Sequence, residues 1–288
     1  MDELKPWVYS HTQLDLWRTC KRRYHWRYEL GHKEPTTDNM AAGTWLVQNP
    51  IEDFHHQEFH PHTYWPNFIA EFGGKGDYDG PIFTPDIPQK TLIAYKANPV
   101  VGNVVDIERT FEIALPGGTR YSSRPDLVVE RFKGGEMVGD GAGGQIQTKE
   151  FQRVVWDIKL KTFNQARNGD EFFLKPTLSP LDDQGISQAV CAGAEAFGQI
   201  QFWLGKKDGL LRGPFYLEHP LNPVLAREWK WETAFEIDQI TALRDYISDR
   251  QWPKNPDSCN KFGRVCPAWD ACNFGFVGKQ LDKENKSA

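Results

Sequence analysis

The stretch that decides the fold is Val154-Val155-Trp156-Asp157-Ile158-Lys159, an apolar run that becomes polar at its end. β-Branched and aromatic residues favour a strand, in which successive side chains point to opposite faces. Asp157 and Lys159 therefore lie on one face, with a carboxylate beside an ammonium group. Such a pair is common at the exposed end of a strand, so its meaning depends on the residues around it.

A second strand is predicted upstream, over residues 121–131, and it contains Asp126. Residues 104–115 have a similar composition, and Pro116-Gly117-Gly118 predicts a hairpin turn after them. Antiparallel pairing of the Asp126 and Asp157 strands would bring their carboxylates together. Two carboxylates with open coordination positions suit Mg²⁺ or Mn²⁺. Together with a nearby lysine, such an ion suits phosphodiester hydrolysis.

Helical and loop signals surround these strands. A capping pattern at Ser10, followed by apolar residues at steps of three and four, predicts an N-terminal helix with Cys20 in its middle. Further helices are predicted over residues 43–60, interrupted at Pro50, and over 187–204 and 222–250. Composition predicts a loop-rich insertion at 61–99, a Gly-rich loop at 132–150 and a disordered tail at 279–288. We therefore expect one α/β domain over residues 1–278.

Composition and charge limit the class of protein. The chain has 288 residues, of which 39% are hydrophobic, and no apolar run reaches the roughly 18 residues of a membrane span. Its first residues lack the basic start and apolar stretch of a signal peptide. We therefore expect a cytoplasmic protein without membrane contact. The net charge of −5 argues against a generally basic surface, but a local basic patch remains at Arg18, Lys21, Arg22, Arg23 and Arg27.

Four of the five cysteines predict a single metal site. Cys259, Cys266 and Cys272 are separated by six and five residues, in a Pro-, Gly- and Asn-containing segment without histidine. Structural zinc and iron-sulfur sites generally use four protein ligands, so a fourth must come from elsewhere. Cys20, in a basic helix, is preferred to Cys191, which lies among alanines and a valine like a small core residue. The site would tie the two ends of the chain together.

In this order, the motifs resemble those of the PD-(D/E)XK nuclease superfamily. The resemblance is to the RecB-like branch with an iron-sulfur staple, as in AddB-type helicase-nucleases and CRISPR-adaptation nucleases. Residues 9–24, with a Ser-x-x-x-Leu opening and then a Cys, a basic pair and an aromatic, look like the family's N-terminal motif. Ser123-Arg124-Pro125-Asp126 is similar to its Gly-x-x-Asp, and Asp157-Ile158-Lys159 to its Asp/Glu-x-Lys. The three late cysteines are similar to its C-terminal staple.

The resemblance implies a restriction-endonuclease-like core, with a central mixed sheet flanked by helices. It also implies a structural 4Fe-4S cluster joining the N- and C-terminal segments. The implied activity is metal-dependent DNA cleavage, as an exonuclease, with Asp126 and Asp157 binding Mg²⁺ or Mn²⁺ and Lys159 assisting the attacking water. Arginines expected to contact the DNA backbone are Arg18, Arg22, Arg23 and Arg124.

The resemblance further implies partners and a biological setting. Its substrates would be single-stranded DNA or duplex ends, in DNA repair or recombination. A recombination, helicase or CRISPR-adaptation protein would be its partner. A phage-encoded origin is compatible with a stand-alone nuclease of this size.

One departure from the family pattern concerns the upstream metal ligand. The family often has a histidine shortly after a glycine, whereas the residues at that step after Gly43 are Val47 and Gln48. Gln48, or Glu52 one turn later, is the candidate replacement. His55 and His56 are weaker candidates, because a single histidine is more often a solvated or core residue than a ligand.

A second departure concerns the helix that follows the Asp157 strand. The family often has Gln-x-x-x-Tyr there, and this chain has Gln188 followed at that step by Ala192. Gln184 is a rival for the glutamine role. Both departures keep an alternative function open, namely a nuclease-fold DNA-binding or scaffolding module without catalysis.

Overall fold

The computed structural model describes residues 7–32, 37–71, 82–134, 137–139, 145–147, 150–163, 176–206 and 209–246, together with Trp252, Pro253, Asn255, Cys266 and Cys272. Cys259 and the tail at 279–288 lie outside these residues. The chain divides into two compact units. The terminal unit comprises Met1–Pro35, Ile113–Ser122 and Glu228–Ala288, and the central unit comprises Thr36–Glu112 and Ser123–Arg227. The expectation of a single domain over 1–278 stays a prediction.

The described residues form the following helices and strands. In order they are β1 (Val8–Ser10), α1 (His11–Thr19), α2 (Lys21–Tyr24), a π-helical turn (His25–Glu29), α3 (Asp38–Ala42), a second π-helical turn (Gly43–Gln48), α4 (Asn49–His56), α5 (Pro61–Glu71), α6 (Ile87–Ala97), β2 (Asn103–Ile107), β3 (Phe111–Ala114), β4 (Arg120–Ser123), β5 (Leu127–Gly134), β6 (Met137–Gly139), β7 (Gln145–Gln147), β8 (Glu150–Phe163), α7 (Asp183–Ala192), β9 (Ala196–Gly205), β10 (Leu211–Pro220) and α8 (Pro223–Tyr246).

A five-stranded mixed sheet forms the middle of the central unit, in the order β10-β9-β8-β5-β2. β8 and β9 are parallel, whereas the other neighbours are antiparallel. Alternate β8 residues, Val154, Trp156 and Ile158, belong to one apolar cluster with residues of the second π-helical turn, α4 and α6. The prediction of an α/β fold with a mixed sheet flanked by helices is therefore confirmed.

The connection from β8 to β9 differs from the sequence prediction. The Asp182 side chain caps α7 by accepting a hydrogen bond from the Gly185 backbone N–H at 2.7 Å. Gly193, with φ of 62°, adopts the left-handed conformation that ends the helix. The prediction of a helix over 187–204 is therefore wrong beyond α7, because β9 follows. β9 is buried almost throughout, so its sequence lacks the alternation of a half-exposed strand.

Two segments predicted as loops contain regular structure. In the 61–99 segment, the prediction of a loop-rich insertion is wrong over α5 and α6, two helices of 11 residues each. The prolines of this segment suggested loops. Pro61 and Pro88, however, lie in the first turns of the helices, where the backbone N–H has no partner within the helix. The Gly-rich loop at 132–150 contains the paired short strands β6 and β7. Pro50 lies in the first turn of α4 instead of breaking it.

The terminal unit has its own sheet, in the order β1-β4-β3, with β1 parallel to β4. The predicted turn joins β3 to β4, with Leu115 N–H donating to Thr119 O at 2.8 Å and Gly118 N–H to Leu115 O at 3.0 Å. This hairpin prediction is confirmed. Each of the first two predicted strands is nevertheless divided, because 104–115 contains β2 and β3 and 121–131 contains parts of β4 and β5.

Aromatic packing closes the terminal unit around Trp252, which is 1% exposed. Its indole stacks on His25 with ring centroids 4.4 Å apart and meets Trp17 edge-on at 6.1 Å. Two salt bridges also link distant segments. Arg18 Nη2 lies 2.7 Å from Glu236 Oε2, and Arg244 Nη2 lies 2.6 Å from Glu29 Oε1. Among the described helices, none combines the length and the apolar character that a membrane crossing requires.

Candidate metal and nucleic-acid site

The pairing of β5 with β8 brings two carboxylates together in the central unit. Leu127 pairs with Trp156 in antiparallel register, so Asp126 lies next to Asp157 across the strands. The Ile158 backbone N–H donates to Asp126 Oδ2 at 2.5 Å. Asp157 is only 4% exposed, and Asp126 is part-buried. The predicted meeting of the two aspartates is confirmed.

Asp157 is held by side chains from its own strand and from α7. Lys159 Nζ lies 2.8 Å from Asp157 Oδ2, and the Lys159 side chain is 36% exposed. Gln184 Nε2 donates to Asp157 Oδ1 at 3.0 Å. Burial raises the pKa of Asp157, and a hydrogen bond from Gln188, buried one turn further along α7, opposes that rise. Both glutamines considered from the sequence therefore act on the same carboxylate.

Gln48 joins the carboxylates of three different segments. Its Nε2 donates to Glu52 Oε1 at 2.8 Å, to Asp126 Oδ1 at 3.0 Å and to Glu108 Oε1 at 3.4 Å. Both replacements considered for the family histidine, Gln48 and Glu52, thus lie at the site. Glu108 was missed by sequence reasoning, because it follows β2 in a left-handed conformation with φ of 48° and belongs to no motif.

The two candidate histidines are placed differently. His55 Nε2 lies 2.7 Å from the buried Tyr95 hydroxyl and is therefore engaged with α6. His56 is exposed at the end of α4. The structure gives neither histidine a contact with Asp126 or Asp157 among the hydrogen bonds of the described residues.

Burial and mutual repulsion dominate the electrostatics of these carboxyl groups. Burial raises the pKa of Glu52 to about 7, and the nearby charge of Glu108 adds to this effect. Burial and then the charge of Asp157 raise the pKa of Asp126 well above its usual value. Burial also raises the pKa of Asp157, against the opposing charge of Lys159. The cluster therefore favours either a proton or a cation at neutral pH.

The pKa of Lys159 depends more on nearby charges than on burial. Burial alone would lower the pKa of Lys159, but the charges of Asp157, Asp126 and Asp182 outweigh it, so the pKa is raised. Lys159 is therefore an ammonium ion at neutral pH. It can donate hydrogen bonds to an anionic ligand but cannot act as a base.

The raised pKa of Glu52 predicts a pH-dependent stability of the metal-free protein. Because the folded state keeps this proton up to about pH 7, against 4.5 for an ordinary glutamate, stability is lost as the pH rises through that interval. Between pH 5 and pH 8 the loss from Glu52 should be about 2 to 3 kcal/mol. Denaturant unfolding with a chelator, in wild type and Glu52→Gln, measures it.

The difference in unfolding free energy between wild type and Glu52→Gln separates the contribution of Glu52 from those of other titrating groups. Glu52→Gln should become the more stable of the pair as the pH is raised. Glu232→Gln, at an exposed glutamate of α8, serves as the control and should follow wild type. Parallel pH profiles for wild type and Glu52→Gln would show that Glu52 ionises normally.

The arginines expected at DNA have different surroundings. Arg124 is 60% exposed and lies 3.6 Å from Glu108, beside the carboxylates. Arg18 pairs with Glu236, and Arg22 donates from Nε to Trp252 O at 2.9 Å, so both make contacts inside the terminal unit. Arg23 is part-buried in α2. Contact of these arginines with DNA stays a prediction.

Cys20 lies in a break between α1 and α2, not in the middle of a helix. Its backbone is extended, with φ of −161° and ψ of 109°, and the residue is 5% exposed. The prediction of one continuous helix is wrong at this point. The helix resumes at Lys21 after a break of one residue. A break this short leaves the spacing of apolar residues almost unchanged, so the sequence pattern does not reveal it.

The C-terminal segment contacts this break. The Arg22 backbone N–H donates to Pro253 O at 3.0 Å, and Arg22 Nη1 donates to Cys272 O at 3.4 Å. Asn255 Nδ2 donates to Thr19 O at 2.9 Å. Cys191, by contrast, is 8% exposed in α7 of the central unit, as a small core residue would be.

The described side chains do not yet have the arrangement needed to coordinate a metal ion. Within the described ranges, no three His, Cys, Asp or Glu side chains are placed so that they could hold a metal ion. At the carboxylates, the Gln48 amide lies between Glu52 and Asp126. At the cysteines, Cys266 and Cys272 are the described members of the late group, and both are part-buried.

Comparisons with known proteins leave the family open. No family model matches the chain, and no curated protein matches it. The crystal structure of SSO0001 is similar over 74% of this chain and 83% of that chain, with 16% sequence identity and a TM-score of 0.26. A similarity this weak supports neither a fold assignment nor a function.

Proposed function

We propose that the protein is a metal-dependent DNA nuclease that acts as an exonuclease. The observation that carries the proposal is the arrangement of Asp126, Asp157 and Lys159 at the β5–β8 pair. Two largely buried carboxylates lie side by side there, and an ammonium group lies 2.8 Å from one of them. Phosphodiester hydrolysis requires negative charge to bind a cation and positive charge to meet the phosphate.

The carboxylate cluster has the chemistry of a Mg²⁺ or Mn²⁺ site. Gln48 Nε2 bridges Glu52 and Asp126 at 2.8 and 3.0 Å, so a positively polarised group already lies between two carboxylates. Turning the Gln48 amide over would present its oxygen instead. Asp126 and Asp157 would hold the ion, with Glu52 or Gln48 as the upstream ligand. When bound, the ion would polarise the phosphate and lower the pKa of a water molecule.

The protein residues around the cluster have positioning roles in this proposal. The Ile158 N–H fixes the orientation of Asp126, and Gln184 fixes that of Asp157. Lys159, which remains charged, orients the attacking water and stabilises charge that develops on the phosphate. Arg124, exposed beside Glu108, can meet the adjoining DNA backbone.

Cleavage of labelled DNA tests the proposal. Linear single-stranded DNA should be degraded in Mg²⁺ or Mn²⁺ and left intact in a chelator. A circular single strand of the same composition should resist cleavage, because an exonuclease needs an end. Rapid cutting of the circle would replace the exonuclease assignment with an endonuclease. Absence of cleavage with every divalent ion would contradict a nuclease function.

A second candidate is a nuclease-fold DNA-binding or scaffolding module without catalysis. The favouring observation is the Gln48 amide, which satisfies Glu52 and Asp126 without a cation. This candidate predicts DNA binding that weakens with salt, together with intact DNA under all metal conditions. The cleavage and binding assays on one preparation separate the two candidates.

We also propose that Cys20, Cys259, Cys266 and Cys272 bind a structural 4Fe-4S cluster. The supporting observation is the buried break at Cys20, which the C-terminal segment contacts through Arg22 at Pro253 and at Cys272. A cluster would give a brown protein with absorption at about 400 nm, whereas zinc has no such transitions. A colourless protein containing stoichiometric zinc would therefore exclude the cluster.

A further inference from the structure

The sheet face that carries Asp157 and Lys159 continues beyond them. Lys161 is the next residue of β8 on this face, about 6.6 Å further along the strand. Parallel register pairs Lys159 with Gln201 and Lys161 with Trp203 of β9. A second lysine and an indole thus lie next to each other at the carboxyl ends of neighbouring strands, beside the proposed cleavage site.

Trp203 is held in one orientation by a chain of hydrogen bonds. Its Nε1 donates to Gln201 Oε1 at 3.1 Å. Gln201 is 0% exposed, and its Nε2 donates to Gln199 Oε1 at 2.8 Å and to Thr177 O at 3.1 Å. The Phe215 ring also meets the indole edge-on, with centroids 6.3 Å apart.

This arrangement suits a binding surface better than a packing role alone. Burying two glutamines has a desolvation cost that an apolar residue would avoid. Gln199 accepts a hydrogen bond from Gln201, and Gln201 in turn accepts one from the indole, which remains part-exposed. A fixed, part-exposed indole is ready to stack on a flat ligand without losing further side-chain freedom.

Lys161 supplies positive charge at the same place. Burial lowers the pKa of this lysine, and the charge of Lys159 lowers it further, against Asp182 and Asp157. Lys159 and Lys161 thus place two basic side chains on one face of β8, and this concentration of basic groups favours an anionic ligand. A phosphate joined to a planar ring meets both requirements of the pair.

We propose that Lys161 and Trp203 form a subsite for the nucleotide next to the scissile phosphate, with the phosphate on Lys161 and the base stacked on Trp203. The inference rests on the proposed nuclease function, and it specifies the substrate. A base must be unstacked from its strand neighbours to lie on the indole, so the substrate at this position is a single strand or an unwound end.

Equilibrium binding tests the subsite independently of catalysis. A fluorescent thymidine 12-mer is titrated with the full chain in a chelator, at several salt concentrations. Lys161→Gln should reduce the slope of log affinity against log salt by about 0.7, as expected for one lost phosphate contact on a single strand. Trp203→Leu should weaken binding about fivefold or more, and Trp203→Phe should retain most of the affinity.

Matched controls lie in the same unit. Lys96→Gln removes an exposed charge from α6, and Phe151→Leu removes an aromatic ring that is 55% exposed on β8. Phe151 lies about 33 Å before Lys161 along the strand. Both controls should bind like wild type. Equal affinity and salt slope in wild type, Lys161→Gln and Trp203→Phe, with Trp203→Leu folded and equally tight, would overturn the proposal.

Cleavage assays separate this inference from the proposed function. On the thymidine 12-mer, Lys161→Gln and Trp203→Leu should show a raised KM, and the controls Lys96→Gln and Phe151→Leu should match wild type. If wild type does not cleave the 12-mer, the nuclease proposal fails while the binding results still decide the subsite. If the 12-mer is cleaved but Lys161→Gln and Trp203→Leu match wild type in KM and in binding, the subsite fails alone.

Discussion

Replacement of Asp157 by asparagine is expected to lower the rate of DNA cleavage by roughly 1,000-fold or more. The carboxylate is 4% exposed and lies 2.8 Å from Lys159 Nζ. Bulk water therefore cannot replace its negative charge at the site. The amide keeps the shape and the contact with Gln184 but loses the negative charge that binds a cation. Single-turnover cleavage of end-labelled DNA in Mn²⁺ measures the effect.

The fold should survive this substitution. Burial raises the pKa of Asp157, so a neutral amide removes an unfavourable buried charge at neutral pH. Lys159, at 36% exposure, can turn its ammonium group towards water. The melting temperature of Asp157→Asn should therefore equal or exceed that of wild type. Asp86→Asn, at an exposed carboxylate paired with Lys90, is the matched control and should cleave normally.

Identical purification of wild type and Asp157→Asn also controls for contaminating nucleases. Cleavage at the wild-type rate by Asp157→Asn would rule out the proposed site. A double variant that adds Asp126→Asn should be about as inactive as either single variant, because ligands of one ion act as a unit. Fully multiplicative losses would indicate that the two aspartates have separate roles.

The centre of this site could be predicted because it depends on short-range rules. The two-residue period of a strand places Asp157 and Lys159 on one face, and one antiparallel pairing brings Asp126 beside them. Gln48 and Glu52 were also accessible, as residues one helical turn apart near the expected position of an upstream ligand. Each inference required only a local pattern and one pairing.

The remaining parts depend on long-range packing that has no local signature. Glu108 lies at the cluster because it directly follows β2, and it belongs to no sequence motif. β9 was mistaken for helix because both of its faces are buried, although two of its residues are glutamines; the Gln201 amide donates to Gln199 and to Thr177. A buried amide ladder looks like a polar surface in sequence. For this reason, the pairing of Lys161 with Trp203 became visible only in the structure.

Replacement of Cys20 by serine is expected to release iron and to lower the melting temperature by about 10 °C or more. Serine is nearly the same size, so lost packing alone would have a small effect. A lost ligand would instead remove the binding free energy that joins the Cys20 break to the C-terminal segment. Iron content, absorption at about 400 nm and thermal unfolding are the measurements.

Cys191→Ser supplies the matched control for this prediction, because Cys191 is also buried but lies in α7 of the central unit. It should keep its iron and lose at most a few degrees, as expected for a buried hydroxyl. Unchanged iron and melting temperature in Cys20→Ser would remove Cys20 from the ligand set. Iron loss with little change in stability would mean that the contacts of Arg22, Asn255 and Trp252 already join the two ends of the chain, and that the cluster serves another purpose.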